Sequence, residues 1–177
     1  RFSFSGNYID KSTGIKFTNH LITEKNENGL DIISNSFFRR IEEMMKLKKS
    51  FDYNFLKHVK ENKNVDFTVF FPPYSILSWK AWEKTGQLNS ILQFKEYILK
   101  ESLKYDNFKI YDFQVEKDVT HDLDNYFDAS HYSSKTNKWM IKQIKENKYK
   151  VDENNIHYYL DKLKFQVNAF DISERYK

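Results

Sequence analysis

The sequence predicts an α/β domain built on a parallel sheet flanked by helices. Two apolar runs and what lies between them carry that expectation. "VDFTVFF" at 65–71 and "FKIYDF" at 108–113 are β-branched and aromatic, as buried strands are. Two helical patterns separate them, and strands joined through helices pair parallel, because a parallel pair needs a crossover connection. Composition agrees: 177 residues, 40% hydrophobic and 18% aromatic, with only 4 Gly and 2 Pro. That suits one domain with a core rich in Phe and Tyr and without long structureless linkers.

The elements follow in order. Residues 1–33 carry Gly6, Gly14 and Gly29 among many polar residues and read as a loop-rich opening segment, with "IKFTNHLI" (15–22) as a short strand. From Ser34 to about Lys48, the apolar residues Phe37, Phe38, Ile41, Met44 and Met45 mark one helix face, with Ser34 or Ser36 as N-cap. Phe51, Phe55, Leu56 and Val59 mark a second helix, broken by "NKN". After the first strand, "PPYS" stops pairing, since proline cannot continue a ladder. A helix starts near Ser75 or Ser78 and ends at Gly86. The next begins at Asn89 or Ser90, with Ile91, Leu92, Ile98, Leu99 and Leu103 on its inner face.

Beyond the second strand, 114–130 reads as a polar loop. "SSKTNKWMIKQIKEN" reads as a helix capped by Ser133 or Ser134, with Met140, Ile141 and Ile144 inward. The last helix, 153–170, sets Ile156, Leu160, Leu163, Val167 and Phe170 along a narrow seam, which either packs on the body of the domain or meets a second copy. The α/β core thus runs from 34 to 146, inside a single domain of 1–177.

Several classes are excluded. With no Cys there is no disulfide framework, no thiolate nucleophile and no Cys-ligated zinc. No run of 18 apolar residues exists to span a bilayer. The net charge is +4, with Lys interleaved among Asp and Glu. The densest cluster, Lys46, Lys48 and Lys49 after Arg39 and Arg40, reads as a solvated helix face, so nucleic acid is not an expected partner. His20, His58 and His157 form no metal set, and no metal or other cofactor is expected. The chain begins at Arg1 without Met and reads as a piece of something longer.

The chemistry concentrates in "YFDASHYSS", 126–134. It places Asp128 three residues before His131 and just ahead of a helix. In a parallel sheet, loops after strand C-termini gather at one edge, where sites form. At this spacing a carboxylate can fold back to accept from Nδ1–H of the imidazole, leaving Nε2 to take a proton from a hydroxyl. Spacing alone decides little, because Asp118 and His121 in "DVTH" repeat it mid-loop. Asp112 reads as an anchor for the loop after its strand. Trp79, Trp82 and Tyr74 follow the first strand and read mainly as packing residues; Tyr74 and Tyr132 are the aromatics expected to flank a sugar.

The ordered set "FFPPYS", "KIYDF" and "NYFDASHYS" resembles the C-terminal half of the SGNH/GDSL-type hydrolase superfamily, and more narrowly bacterial envelope-associated SGNH-like proteins linked to cell-surface polysaccharides. The resemblance covers about 51–146. It implies a three-layer, flavodoxin-like fold, incomplete at its N-terminus, with Asp128 and His131 as the Asp and His of a Ser-His-Asp triad. The Gly-Asp-Ser block of that family has no counterpart here; "FSGNY" (4–8) holds Gly6 and Asn7 in a different spacing, Ser5 is not followed by a helix, and Ser75 reads as a helix cap. The nucleophile is therefore expected upstream of Arg1.

The implied function is Ser-dependent acyl-ester chemistry, O-acetyl hydrolysis or transfer, on a polysaccharide at the cell envelope or extracytoplasmic face. Any membrane association would come through a segment outside this chain, and an exposed edge strand would invite a homodimer. The alternative is a non-catalytic carbohydrate-binding or scaffold module that has lost the triad; a basic nucleic-acid-binding domain ranks last.

Overall fold

The computed structural model describes residues 42–128 and 130–172, together with two short strands at 8–9 and 16–17. The chain divides into two compact units, with the boundary between Tyr53 and Asn54.

In the first unit, β1 (Tyr8–Ile9) pairs antiparallel with β2 (Lys16–Phe17), matching Tyr8 with Phe17 and Ile9 with Lys16. The expected strand at 15–22 is described only at Lys16–Phe17. Helix α1 spans residues 42–51. Met44 is half-buried and Met45 exposed, so the inner face is narrower than the apolar letters imply. Ser34, Ser36, Phe37, Phe38 and Ile41 lie outside the described residues, as do Ser5, Asn7 and His20.

A π turn, Asp52–Leu56, runs directly into α2 (Lys57–Glu61), so the two helices expected either side of residue 50 are not separated by a break. A π turn admits one extra residue into a helix, which apolar spacing does not reveal. In the second unit Leu56 and Val59 are buried, and Phe55 lies against Phe67 and Phe108, with ring centroids 6.0 and 5.3 Å away. Asn62 closes α2, as the "NKN" break predicts.

Strands β3 (Phe67–Phe71) and β4 (Phe108–Asp112) pair parallel in the register Phe67↔Phe108 to Phe71↔Asp112. The parallel α/β arrangement read from the sequence is present. Asn107 secures its lower end: its side-chain amide donates to the carbonyls of Val59, Asn62 and Val65, each at 3.1 Å. A third segment pairs antiparallel with β4 on its other side, through Asp112 N to Tyr149 O (2.9 Å) and Val151 N to Ile110 O (2.9 Å). β4 is therefore central and buried almost throughout. β3, expected to be a buried strand, alternates between half-buried and exposed, with Phe70 41% exposed, because it has β4 on one side only among the described residues.

The crossover from β3 to β4 uses α3 (Ile76–Lys84) and α4 (Leu88–Ser102). Ser75 caps α3, its hydroxyl accepting from Ser78 N, and is fully buried. Gly86 sits at φ 71°, and Gln87 N donates to Trp82 O while Gly86 N donates to Glu83 O. That paired closure needs a left-handed residue, which glycine adopts without a Cβ clash. Past β4, the expected polar loop holds one helical turn, α5 (Lys117–Thr120), and a 3-10 turn, Leu123–Asn125. Helices α6 (Ser134–Lys145) and α7 (Ile156–Ala169) follow.

Successive strand residues face opposite sides of a sheet. On one side Asp112 meets Lys95 of α4; on the other, Tyr111 and Phe113 pack with Met140, and Trp139 and Ile144 of α6 close around them. Two inward assignments are corrected. Ile141 is 55% exposed because Thr136, Met140 and Gln143 define the inner stripe of α6, and Leu103 is 42% exposed because α4 ends at Ser102. The α7 seam is buried within the domain at Ile156, Leu163 and Val167, where α7 packs on α3 and α4.

The buried face of α4 contains a lysine. Lys95 and Asp112 are 3% and 0% exposed, and Nζ lies 2.5 Å from Oδ2 in a buried ion pair. Lys95 also donates to Gln114 Oε1 at 2.7 Å and lies over the Phe71 ring at 5.2 Å. Burial pushes the Lys95 pKa down, and the Asp112 carboxylate opposes that shift. Breaking such a pair leaves one buried charge uncompensated. Lys95→Met should cost about 3–5 kcal/mol in urea unfolding. Lys95→Met with Asp112→Leu should cost less than Lys95→Met alone; a double variant that is worse would contradict the ion-pair account.

Candidate active site

The candidate site is a small closed loop at the C-terminal side of the sheet. Tyr126 and Tyr132 form an antiparallel bridge, Phe127 N donates to His131 O at 2.8 Å, and Ser133 N donates to Asn125 O at 2.9 Å. "YFDASHYSS" is thus a tight hairpin leading into α6, with Ser133 in extended backbone at the N-cap position.

Asp128 organises the turn. Its Oδ1 accepts from Ser130 N (2.8 Å), His131 N (2.8 Å) and Ser130 Oγ (3.2 Å), while its Oδ2 lies 2.6 Å from His131 Nδ1. An aspartate that accepts backbone amides two and three residues on is an Asx turn, the reason aspartate favours such loops. The Ser130 amide, the His131 ring and the His131 amide together hold its carboxyl far below the usual carboxylate range. With Asp128 ionised, Nδ1 carries the proton and donates, which leaves Nε2 as the basic nitrogen. The two side chains are 56% and 63% exposed, and Nε2 has no partner among the described residues.

The hairpin is tied to the first strand's exit. Tyr126 Oη donates to Pro73 O at 2.6 Å, across 53 residues of chain. Burial, with the Asp122 carboxylate adding, raises the Tyr126 pKa, so the hydroxyl stays a donor at neutral pH. Tyr74 and Tyr132, expected to flank the site, are half-buried and near enough that Tyr74 adds to the rise that burial causes in the Tyr132 pKa. Both also pack: Tyr74 meets Trp82 edge-on at 5.7 Å, and Tyr132 covers the Tyr111–Phe113–Met140 cluster. Trp79 is buried core, whereas Phe127 beside Asp128 is 84% exposed.

The repeated spacing at Asp118 and His121 falls in a different setting. His121 Nδ1 meets the Thr120 hydroxyl at 2.9 Å and its ring packs on Phe170 at 5.6 Å, while Asp118 lies in the first turn of α5. Asp112 accepts from Gln114 N at 3.0 Å and anchors the loop, as its position at the end of β4 implies. His58 and His157 are exposed on separate helices, and among the described residues no three His, Asp or Glu groups could share a metal ion. Ser75 is enclosed as a cap, its hydroxyl accepting from Ser78 N. A hollow of about 260 Å³ is lined by Glu83, Gly86, Leu88, Asn89, Lys164 and Asn168, none from the hairpin.

Sequence reasoning missed Tyr126 and Lys95. The Tyr126 contact is a side chain meeting a distant carbonyl, for which no local pattern exists. Lys95 had a signal: Leu92, Lys95 and Leu99 are three and four apart on one buried stripe. No protein-family model, curated protein or solved structure matches the chain. Among the described residues no helix is long and apolar enough to cross a membrane.

Asp128 has a folded pKa below its unfolded value, so its stabilisation of the hairpin is full above the ordinary aspartate pKa of 3.8 and is lost as pH falls through the folded value. Carboxyl-detected NMR should therefore show Asp128 still ionised at pH 3, with Ser130 and His131 amides unshifted. A midpoint near 3.8 would contradict the Asx turn. Tyr126→Phe removes one bond to a buried carbonyl and should cost about 1–2 kcal/mol. Hydrogen exchange should then accelerate at Phe127 and Ser133 first; unchanged rates there would show that the tether is idle.

Proposed function

We propose that this chain is the His/Asp-bearing C-terminal part of an SGNH-type serine esterase or O-acyltransferase with a three-layer α/β fold, acting on a cell-surface polysaccharide. The observation that carries the reading is the Asp128–His131 pair, set 2.6 Å apart in a pinned hairpin with the ring exposed. In that reaction a serine upstream of Arg1 attacks the ester carbonyl. His131 Nε2 takes the hydroxyl proton and then returns it to the leaving sugar oxygen. Asp128 holds the tautomer and balances the transient imidazolium charge. Backbone donors from outside the described residues would hold the oxyanion. Water or a second sugar hydroxyl accepts the acyl group, giving hydrolysis or transfer. Such chemistry on a surface polymer belongs at the cell envelope.

Helices on opposite sides of β4, through Lys95 and Met140, support the layered fold. The exposed Phe127 in the hairpin, and the half-buried Tyr74 and Tyr132 close to one another, support a sugar-facing surface. The same aromatics support a second reading, a carbohydrate-binding module without turnover.

Hydrolysis of p-nitrophenyl acetate by this chain and by a longer natural protein containing it separates the readings. The longer protein should lose about 10²–10⁴ of its rate on His131→Ala, the usual worth of a general base. The chain alone should show no His131-dependent turnover. If the longer protein binds oligosaccharide but gives equal rates with and without His131, the binding-module reading holds instead.

A further inference from the structure

Helix α6 starts three residues after His131, and it holds lysines without any acidic residue between them. Residues 134–150 hold six lysines and one glutamate, a balance of +5, in a chain whose total is +4. Lys135, Lys138, Lys142 and Lys145 are spaced three, four and three apart and are all exposed, so they form one stripe opposite the buried Thr136, Met140 and Gln143. At 1.5 Å per residue the stripe is about 15 Å long.

On other helices some exposed lysines are paired along the same helix: Lys46 with Glu42, Lys57 with Glu61 and Lys100 with Glu96. Helix α6 contains no acidic residue. Lys142 has only Glu146 beyond the helix end, at 3.9 Å, and Lys148 shares that carboxylate at 2.8 Å. Lys135, Lys138 and Lys145 have no ion-pair partner among the described residues. Like charges at these spacings repel, and Lys135 in the first turn opposes the helix dipole, whereas Lys142 and Lys145 in the last turn are favoured by it. The dipole thus accounts for the far half of the stripe but not for Lys135 and Lys138, which an anionic ligand would explain. Phe127, in the hairpin that precedes α6, is also exposed.

We infer that the α6 lysine stripe is a docking surface for an anionic polysaccharide, one with regularly spaced carboxylate or phosphate groups, and that it leads the polymer toward His131. This rests on the proposed polysaccharide chemistry and narrows its substrate class. Fixed charge at intervals suits a polyanion because each lysine displaces a counterion, and the exposed Phe127 ring in the preceding hairpin can stack on a sugar.

Oligogalacturonate, a polyuronate, titrated into the chain tests this, with neutral dextran of equal length and phosphatidylglycerol vesicles alongside. Oligogalacturonate should bind, weaken as salt rises, and lose about tenfold or more in affinity on Lys135→Glu with Lys138→Glu and Lys142→Glu. The matching Lys→Gln triple should give a smaller loss in the same direction, which guards against a fold effect of reversed charges. Lys46→Glu with Lys49→Glu, equally exposed on α1, should change affinity less than threefold. Equal losses in both sets, equal binding of dextran, or binding of vesicles without oligogalacturonate would overturn the inference. His131→Ala should leave affinity unchanged, so failed docking with intact His131-dependent turnover sinks this inference alone. Intact docking without turnover in the longer protein sinks the esterase reading instead.

Discussion

The structure turns on Asp112. It is the last residue of the central strand, it has no exposed surface, and four parts of the domain meet at it. Its neighbour across the sheet is Phe71, its backbone amide binds the antiparallel segment at Tyr149, its Oδ1 holds the Gln114 amide, and its Oδ2 faces Lys95 of α4. A carboxylate buried to this depth would be prohibitively costly alone, and Lys95 alone would be equally so. Each is tolerated because the other is in place, which fixes α4 against the sheet in one register. Tyr159 of α7 feels the same carboxylate: burial, aided by Asp112, raises its pKa to about 12, so it stays neutral there. The strand ends at a defined point, and the loop toward the hairpin leaves from it.

The hairpin uses a different economy. Asp128 and His131 are exposed, so neither has to be desolvated and neither adds much to global stability. Their order comes from local geometry: two amides and a ring converge on one carboxylate. That arrangement suits chemistry better than stability, because it presents a ring nitrogen in a defined tautomer without enclosing it. A nucleophile arriving from elsewhere would meet a base already oriented. The Tyr126–Pro73 bond supplies what local geometry cannot, the link between the hairpin and the exit of β3.

Much of this was legible where local rules decide. Strand and helix order between 51 and 113, the cap at Ser75, the stop at Gly86 and the anchoring of Asp112 all follow from residues within a few positions of each other. The choice between Asp128–His131 and Asp118–His121 rested on one local clue, proximity to a capped helix; Asp128 Oδ2 and His131 Nδ1 lie 2.6 Å apart. What escaped were properties of the whole. The partial exposure of β3 depends on how many strands flank it. The outward turn of Ile141 depends on where the helix axis lies, and an apolar letter does not fix that. Lys95 looked like a surface residue by type, although its spacing from Leu92 and Leu99 placed it inside. The π turn at Asp52–Leu56 was invisible because an inserted residue only shifts the apolar phase.

Asp128 Oδ2, 2.6 Å from His131 Nδ1, is placed to set the tautomer of the ring. Nitrogen-15 NMR of the His131 ring in neutral solution checks this, because Nδ1–H and Nε2–H tautomers differ widely in shift. A single Nδ1–H tautomer with a slowly exchanging proton is expected, lost on Asp128→Asn. An Nε2–H or evenly mixed ring, unmoved by that substitution, would show that the pair does not form and that the hairpin is only a loop.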